Sequence, residues 1–221
     1  MNINLEGEVI ILDEAHNIEE TCRNAASASF TSTQMKSIID ACNEYMKHKN
    51  CDILDEHHFV SIIGTVCSDL SRVIGSMTMN QSRGRDSMSS IIWTSKGFLE
   101  MLKSENVNMC AVNEFTHALA KATDYFLQMN NENNREGIVV CPFNQETIRI
   151  FDRLRLVFGF VQSKTCSEDF SIYVHANPSP RCDTTLEFVC LNPGLIFRQV
   201  SDAARSVIIA SGTLSPIGPL K

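Results

Sequence analysis

The sequence predicts an α/β domain interrupted by a large, mainly helical insertion. Three observations carry that expectation. An apolar strand, "EVIIL" at residues 8–12, lies near the start and runs straight into Asp13-Glu14. A second, "SVIIASG" from Ser206 to Gly212, lies near the end and runs into small hydroxyl and glycine residues. Most of the chain between them carries apolar residues at helical spacing. Strands at both ends and helices between are the pattern of an insertion within an α/β domain.

The first strand is β-branched, apolar and without alternation, as a buried parallel strand should be. Asp13 ends it, and Asn17 is placed to cap a helix starting near Ile18, with Glu19 and Glu20 suiting its positive end. From about Thr33 the period becomes helical: Met35, Ile38, Ile39, Cys42 and Met46 fall on one face. Phe59, Ile62, Ile63, Val66, Leu70, Val73 and Ile74 form a second such face. The polar, Ser-rich stretch Ser76–Ser90 reads as a loop, and so does Gln128–Gly137. Ile91, Ile92, Leu99 and Leu102 suggest a third helix, and Phe115, Leu119, Ala122 and Phe126 a fourth. "GIVVCPF" (Gly137–Phe143) reads as a strand. Ile148, Phe151, Leu154 and Phe158 mark another amphipathic helix. His175–Thr185 is turn-rich, "LEFVCL" (Leu186–Leu191) is strand-like, and a short helix precedes the last strand.

With 221 residues the chain is long enough for one sizeable core or two small ones. Its apolar content of 43% against 20% charged residues places it among globular rather than disordered chains. A net charge of −7 argues against a generic nucleic-acid coating protein, which would be basic, but leaves room for a motor with a local binding groove. Nine scattered cysteines, none in a CxxC pair, favour free thiols and exclude the common zinc and iron–sulfur spacings. No apolar run in the sequence approaches a membrane span.

An apolar parallel strand ending in Asp-Glu is what a P-loop ATPase requires. The Asp holds Mg²⁺ against the nucleotide phosphates and the Glu polarises the attacking water. Both belong at the carboxyl end of a strand, where open α/β sheets bind ligands. For a bare Asp-Glu, a plain strand followed by a capped helix is the favoured account. The addition of Ala15-His16 decides for the first reading, because Asp-Glu-Ala-His after an apolar strand has the form of a helicase motif II. "SVIIASGTLSP" (Ser206–Pro216) repeats the logic. Ser211 and Thr213 are hydroxyls able to bond a carboxylate or a coupled water, and Gly212 admits close backbone approach.

Together the two motifs resemble the superfamily 2 DNA helicases of the xeroderma pigmentosum group D type. Asn17-Ile18 after DEAH, and SGTLSP in place of Ser-Ala-Thr, separate the chain from DEAH RNA helicases. "LEFVCLNPGLIF", with Cys190-Leu191-Asn192-Pro193, is most similar to the Fanconi anaemia group J branch. The resemblance implies a partial RecA-like P-loop motor domain over residues 1–32 and 181–221, and an arch-like helical insertion over 33–180. It implies ATP and Mg²⁺ as cofactors, with Asp13 as metal ligand and Glu14 as general base. His16, Ser211, Gly212 and Thr213 would couple nucleotide to DNA. It implies motion 5′ to 3′ along single-stranded DNA, DNA junctions as substrates, protein partners on the arch, no membrane, and DNA repair in the nucleus.

No GxxxxGK[ST] occurs in these residues, and a 4Fe–4S cluster of the family type would need four clustered cysteines that they lack. The expectation is therefore a fragment, inactive by itself. Arg149, Arg153 and Arg155 are weak candidate phosphate contacts, a solvated helix face being the favoured account. The same holds for Arg72, Arg83 and Arg85. A zinc site from Cys51, His57, His58 and Cys67 fits no common spacing. A related telomere-type or DEAH RNA helicase, and a non-catalytic arch-type binding module, are the competing functional readings.

Overall fold

The computed structural model describes residues 4–47, 54–81, 90–136, 143–166, 168–175 and 183–212. In chain order the first elements are β1 (Val9–Leu12), α1 (Ile18–Ala26), β2 (Ala28–Thr31), α2 (Ser32–Lys47) and α3 (Leu54–Gln81). There follow β3 (Ser90–Thr94), α4 (Ser95–Ser104), α5 (Met109–Glu136) and α6 (Gln145–Gln162). The last are β4 (Phe170–His175), β5 (Thr185–Cys190), α7 (Gly194–Ala203) and β6 (Ser206–Ile209). They divide into two compact units, Met1–Ser27 with Val189–Lys221, and Ala28–Phe188.

In the first unit β1 and β6 pair in parallel, Val9 opposite Ser206 through Leu12 opposite Ile209. Helices α1 and α7 pack against each other. The expected burial of the first strand does not hold: Val9 is 40% and Ile11 69% exposed, and Ile208 on its neighbour 49%. Among the described residues β1 and β6 form a sheet of two, so no layer covers these side chains. Helix α1 begins at Ile18 as expected, after a 3-10 turn at Ala15–Asn17. Asn17 nevertheless makes no side-chain cap, because its backbone is already helical rather than extended.

The second unit contains a four-stranded sheet in the order β2-β5-β4-β3, with antiparallel β2–β5 and β3–β4 pairs. The middle of the chain is mainly helical, as expected, but it also carries strands that the sequence reading missed. Strands β2 and β4 escape a search for helical faces because they are short. Their burial alternates with period two, with Ala28, Phe30, Phe170, Ile172 and Val174 facing inward. Ile91 and Ile92 lie on a strand, not a helix: these consecutive β-branched residues pair with Val174 and Tyr173. The helix starts only after Thr94, whose side chain accepts a bond from the Gly97 N–H at 3.2 Å.

Helices α2, α3, α5 and α6 pack successively, neighbour on neighbour. On α2 the buried face is Met35, Ile38, Ala41, Cys42 and Tyr45, which leaves Met46 exposed. The loop expected from Ser76 begins later, since α3 runs to Gln81. The Ser76 hydroxyl donates back to the Val73 carbonyl at 2.8 Å, inside the helix. Likewise α5 continues through Asn-rich sequence to Glu136. The strand expected at Gly137–Phe143 lies outside the described residues except for Phe143, as do Cys51, Arg83, Arg85 and Thr213. Residues His57–Met77 of α3 are, by length and composition, apolar enough to cross a membrane, contrary to the reading of the sequence. Val60, Ile63, Val66, Cys67, Leu70 and Val73 on that stretch are buried in the unit's core.

Close approach of α2 and α3 depends on Gly64, where a Cβ would stand 3.3 Å from Cys42 Cβ. Burial pushes the Cys42 thiol up to about 12 and holds that of Cys67 well above the ordinary value. These thiols act as small apolar core groups. The core centres on Phe188, fully buried, with ring centroids 6.0 Å from Phe30, 5.8 Å from Phe98 and 5.7 Å from Phe158. Phe188→Ala is expected to cost about 3–5 kcal/mol, seen as a lower denaturant midpoint in urea.

Candidate functional site

The site grows from the ladder between β1 and β6. Beyond the strands the Ala210 N–H donates to the Leu12 carbonyl at 2.8 Å, and the Ala15 N–H donates to the Ala210 carbonyl at 3.0 Å. This exchange extends the pairing by one step and fixes the two strand ends beside each other. The DEAH turn therefore leaves β1 next to the point where Ser211 leaves β6. No side chain takes part, so no residue type marks the exchange.

The turn carries a strained residue. Glu14 adopts φ 52° and ψ 42°, the left-handed region, which is uncommon for a long side chain. Its N–H is held by Asp13 Oδ1 at 2.8 Å, and its carbonyl accepts the Asn17 N–H at 3.0 Å. Ala15 is buried at 2% exposure and anchors the turn, while Asp13, Glu14 and His16 remain exposed.

His16 is the junction. Its Nδ1 lies 3.0 Å from Ser211 Oγ and 3.2 Å from Glu14 Oε2. The Glu14 contact is an ion pair when the imidazole is protonated, and the Ser211 hydroxyl can donate to or accept from the ring. One imidazole nitrogen thus sits between the acid of the first motif and the hydroxyl of the second, 195 residues away in sequence. Gly212 is exposed and adjoins Ser211.

The donor set suits a hard cation held with few protein ligands. Asp13 supplies one exposed carboxylate, and the described residues contain no group of three side chains placed to hold a metal. Mg²⁺ is bound in that manner when substrate phosphates and water complete the shell. Among the described residues no cysteine group is placed to hold an iron–sulfur cluster, and Cys22, Cys42, Cys67, Cys110, Cys166 and Cys190 form no disulfide.

The other candidates lie in the second unit. Arg149, Arg153 and Arg155 are on the exposed side of α6, with Arg155 3.9 Å from Asp152. Arg72 donates to Asp69 and to the Glu105 carbonyl, both at 3.2 Å, which gives it a structural role at a helix end. His57 packs on Tyr45, and His58 lies 3.5 Å from Glu114.

The DEAD_2 family model matches residues 1–35, the segment that contains β1, the turn and α1. The Fanconi anemia group J protein homolog of Gallus gallus is 24% identical over 98% of this chain and 19% of its own length. Similarity over nearly the whole chain extends to named DNA helicases. The regulator of telomere elongation helicase 1 homolog of Aedes aegypti is 23% identical over 99% of the chain and 24% of its own length. The ATP-dependent DNA helicase CHL1 of Candida glabrata is 24% identical over the whole chain and 24% of its own length. The chain thus spans about a fifth to a quarter of the helicases it matches.

The backbone of Glu14 gives a direct check on the turn. Glu14→Gly and Glu14→Ala both remove the carboxylate, but only glycine accepts the left-handed backbone without strain. Glu14→Gly is expected to be more stable than Glu14→Ala by about 1 kcal/mol, read from amide hydrogen exchange of β1.

Proposed function

We propose that this chain is the motif II to motif III portion of an ATP-dependent DNA helicase motor. The observation that carries the reading is the single His16 nitrogen within hydrogen-bonding reach of both Glu14 and Ser211. A motor must convert a change at the nucleotide into a change at the DNA-binding surface. A polar chain of carboxylate, imidazole and hydroxyl between two strand ends is a short route for that conversion.

In this reading Asp13 holds Mg²⁺, directly or through water, and the cation would neutralise charge on the transferring phosphate. Glu14 is the general base that orients and deprotonates the attacking water. Its contact with His16 holds the carboxylate near the turn until substrate arrives. His16, Ser211, Gly212 and Thr213 relay the state of the site. The first compact unit supplies part of a RecA-like domain, and the unit Ala28–Phe188 is its arch-type insertion. Arg149, Arg153 and Arg155 are candidate phosphate contacts on that insertion. Single-stranded DNA and DNA junctions are the substrates, motion is 5′ to 3′, and the setting is DNA repair in the nucleus. A 4Fe–4S cluster belongs to sequence outside these residues.

Within the 221 residues no lysine of a GxxxxGK[ST] loop is present to hold the terminal phosphates. The purified chain should accordingly show no DNA-stimulated ATP hydrolysis. In a polypeptide joining it to a phosphate loop and a second motor domain, Glu14→Gln should lower kcat by about 10²–10⁴ while ATP still binds. Undiminished hydrolysis by that variant would remove Glu14 from the reaction.

A further inference from the structure

We infer that the groove between α4, the start of α5 and the end of α6 is a docking site for an acidic, amphipathic segment of a partner protein. The inference rests on the surface of the second unit alone and not on the helicase reading. The groove has a volume of about 410 Å³ and an apolar floor of Leu99, Met109 and Val161. Lys96, Lys103 and Lys164 stand around it, with Glu100 the only acid in its lining. A chain of net charge −7 therefore places three of its eight lysines around one apolar depression.

The geometry keeps those lysines available. All three side chains are exposed, and among the described residues only Lys96 has an ion-pair contact, at 3.9 Å from Glu100. Lys103 lies in the last turn of α4, where the helix dipole favours a cation, and Lys164 lies two residues beyond the end of α6. The dipole accounts for Lys103 but not for Lys164 or for an apolar floor between them. The wall is rigid: Gln162 Nε2 donates to the Val112 carbonyl at 2.6 Å and fastens the end of α6 to α5.

The chemistry of the lining selects the occupant. Leu99 and Met109 are half-buried, so apolar side chains from a partner would complete their burial. The lysines complement carboxylates on either side of such anchors. The floor presents no aromatic ring for a base to stack on, which disfavours single-stranded nucleic acid as the occupant. Anchors spaced four residues apart on a short helix, flanked by acids, match a groove of this kind.

The probe is a fluorescein-labelled 14-residue helical peptide with two leucines four apart among glutamates and aspartates, titrated with the full chain by anisotropy. Two comparison probes are the same peptide with both leucines replaced by alanine, and a 20-nucleotide oligothymidine. Saturable binding is expected, weakened at least tenfold by the Lys103→Glu/Lys164→Glu pair and by the loss of the leucines. A Leu99→Asp chain should lose binding similarly, and circular dichroism checks that each variant remains folded. A Lys103→Arg/Lys164→Arg chain, which keeps the charge, should bind as the parent does. Absence of binding to the leucine peptide would overturn the inference. Equal binding of the alanine peptide would overturn it in favour of a simple charge patch. Tighter, lysine-dependent binding of oligothymidine would overturn it in favour of a nucleic-acid surface.

Discussion

The parallel pairing of β1 with β6 is the constraint on which the candidate site depends. Asp13-Glu14-Ala15-His16 and Ser211 are spatial neighbours only because the two strands that precede them share a ladder. The backbone exchange of Leu12, Ala210 and Ala15 carries that register past the strand ends. A ladder between segments so distant in sequence would ordinarily carry a loop-closure cost that rises with loop length. The fold limits it. Ala28 and Phe188, the two ends of the second unit, are register partners in the β2–β5 pair, so their Cα atoms are about 5 Å apart. On the first unit's side, the Cys190 N–H donates to Ser27 Oγ at 2.9 Å. Once the second unit folds, its chain leaves and returns at one place, as domain insertions do.

The energetics of the two units differ in kind. The second is held by an apolar core in which Phe188 touches three other rings, a large and non-directional source of stability. The first has β-branched side chains exposed on its strands and is held more by directional backbone bonds. The contact of exposed His16 with exposed Glu14 adds little to stability by itself. Its significance is positional: it sets the imidazole beside both the Glu14 carboxylate and the Ser211 hydroxyl. A strained Glu14 beside exposed acids is the kind of local conflict that a folded chain retains where position matters more than stability.

Much of this was legible in the sequence, and what was not has physical reasons. Both terminal strands stand out as short continuous apolar runs, and the long faces of α3 and α6 because many apolar residues repeat at one period. The DEAH and SGT residues stand out as a candidate site by type and order. The four-stranded sheet did not show, because β2 has four residues and β4 six, too few for a period-two signal against helical neighbours. Ile91 and Ile92 were drawn into a helical pattern by Leu99 and Leu102, although Thr94 caps the helix between them. The exposure of Ile11 could not be read at all, since a strand's sequence does not say how many neighbours its sheet supplies. The contact between His16 and Ser211 follows from pairing, and pairing between distant strands leaves no local mark.

The central claim is that His16 and Ser211 act as one unit in passing the nucleotide state to DNA. A double-mutant cycle of His16→Ala and Ser211→Ala, read as the ratio of DNA-stimulated to basal ATP hydrolysis in the assembled helicase, tests it most directly. Each single change should lower that ratio, and the double change should lower it no further, giving an interaction of about 0.5–3 kcal/mol. Losses that simply add would show that the two side chains work independently, and would contradict the account.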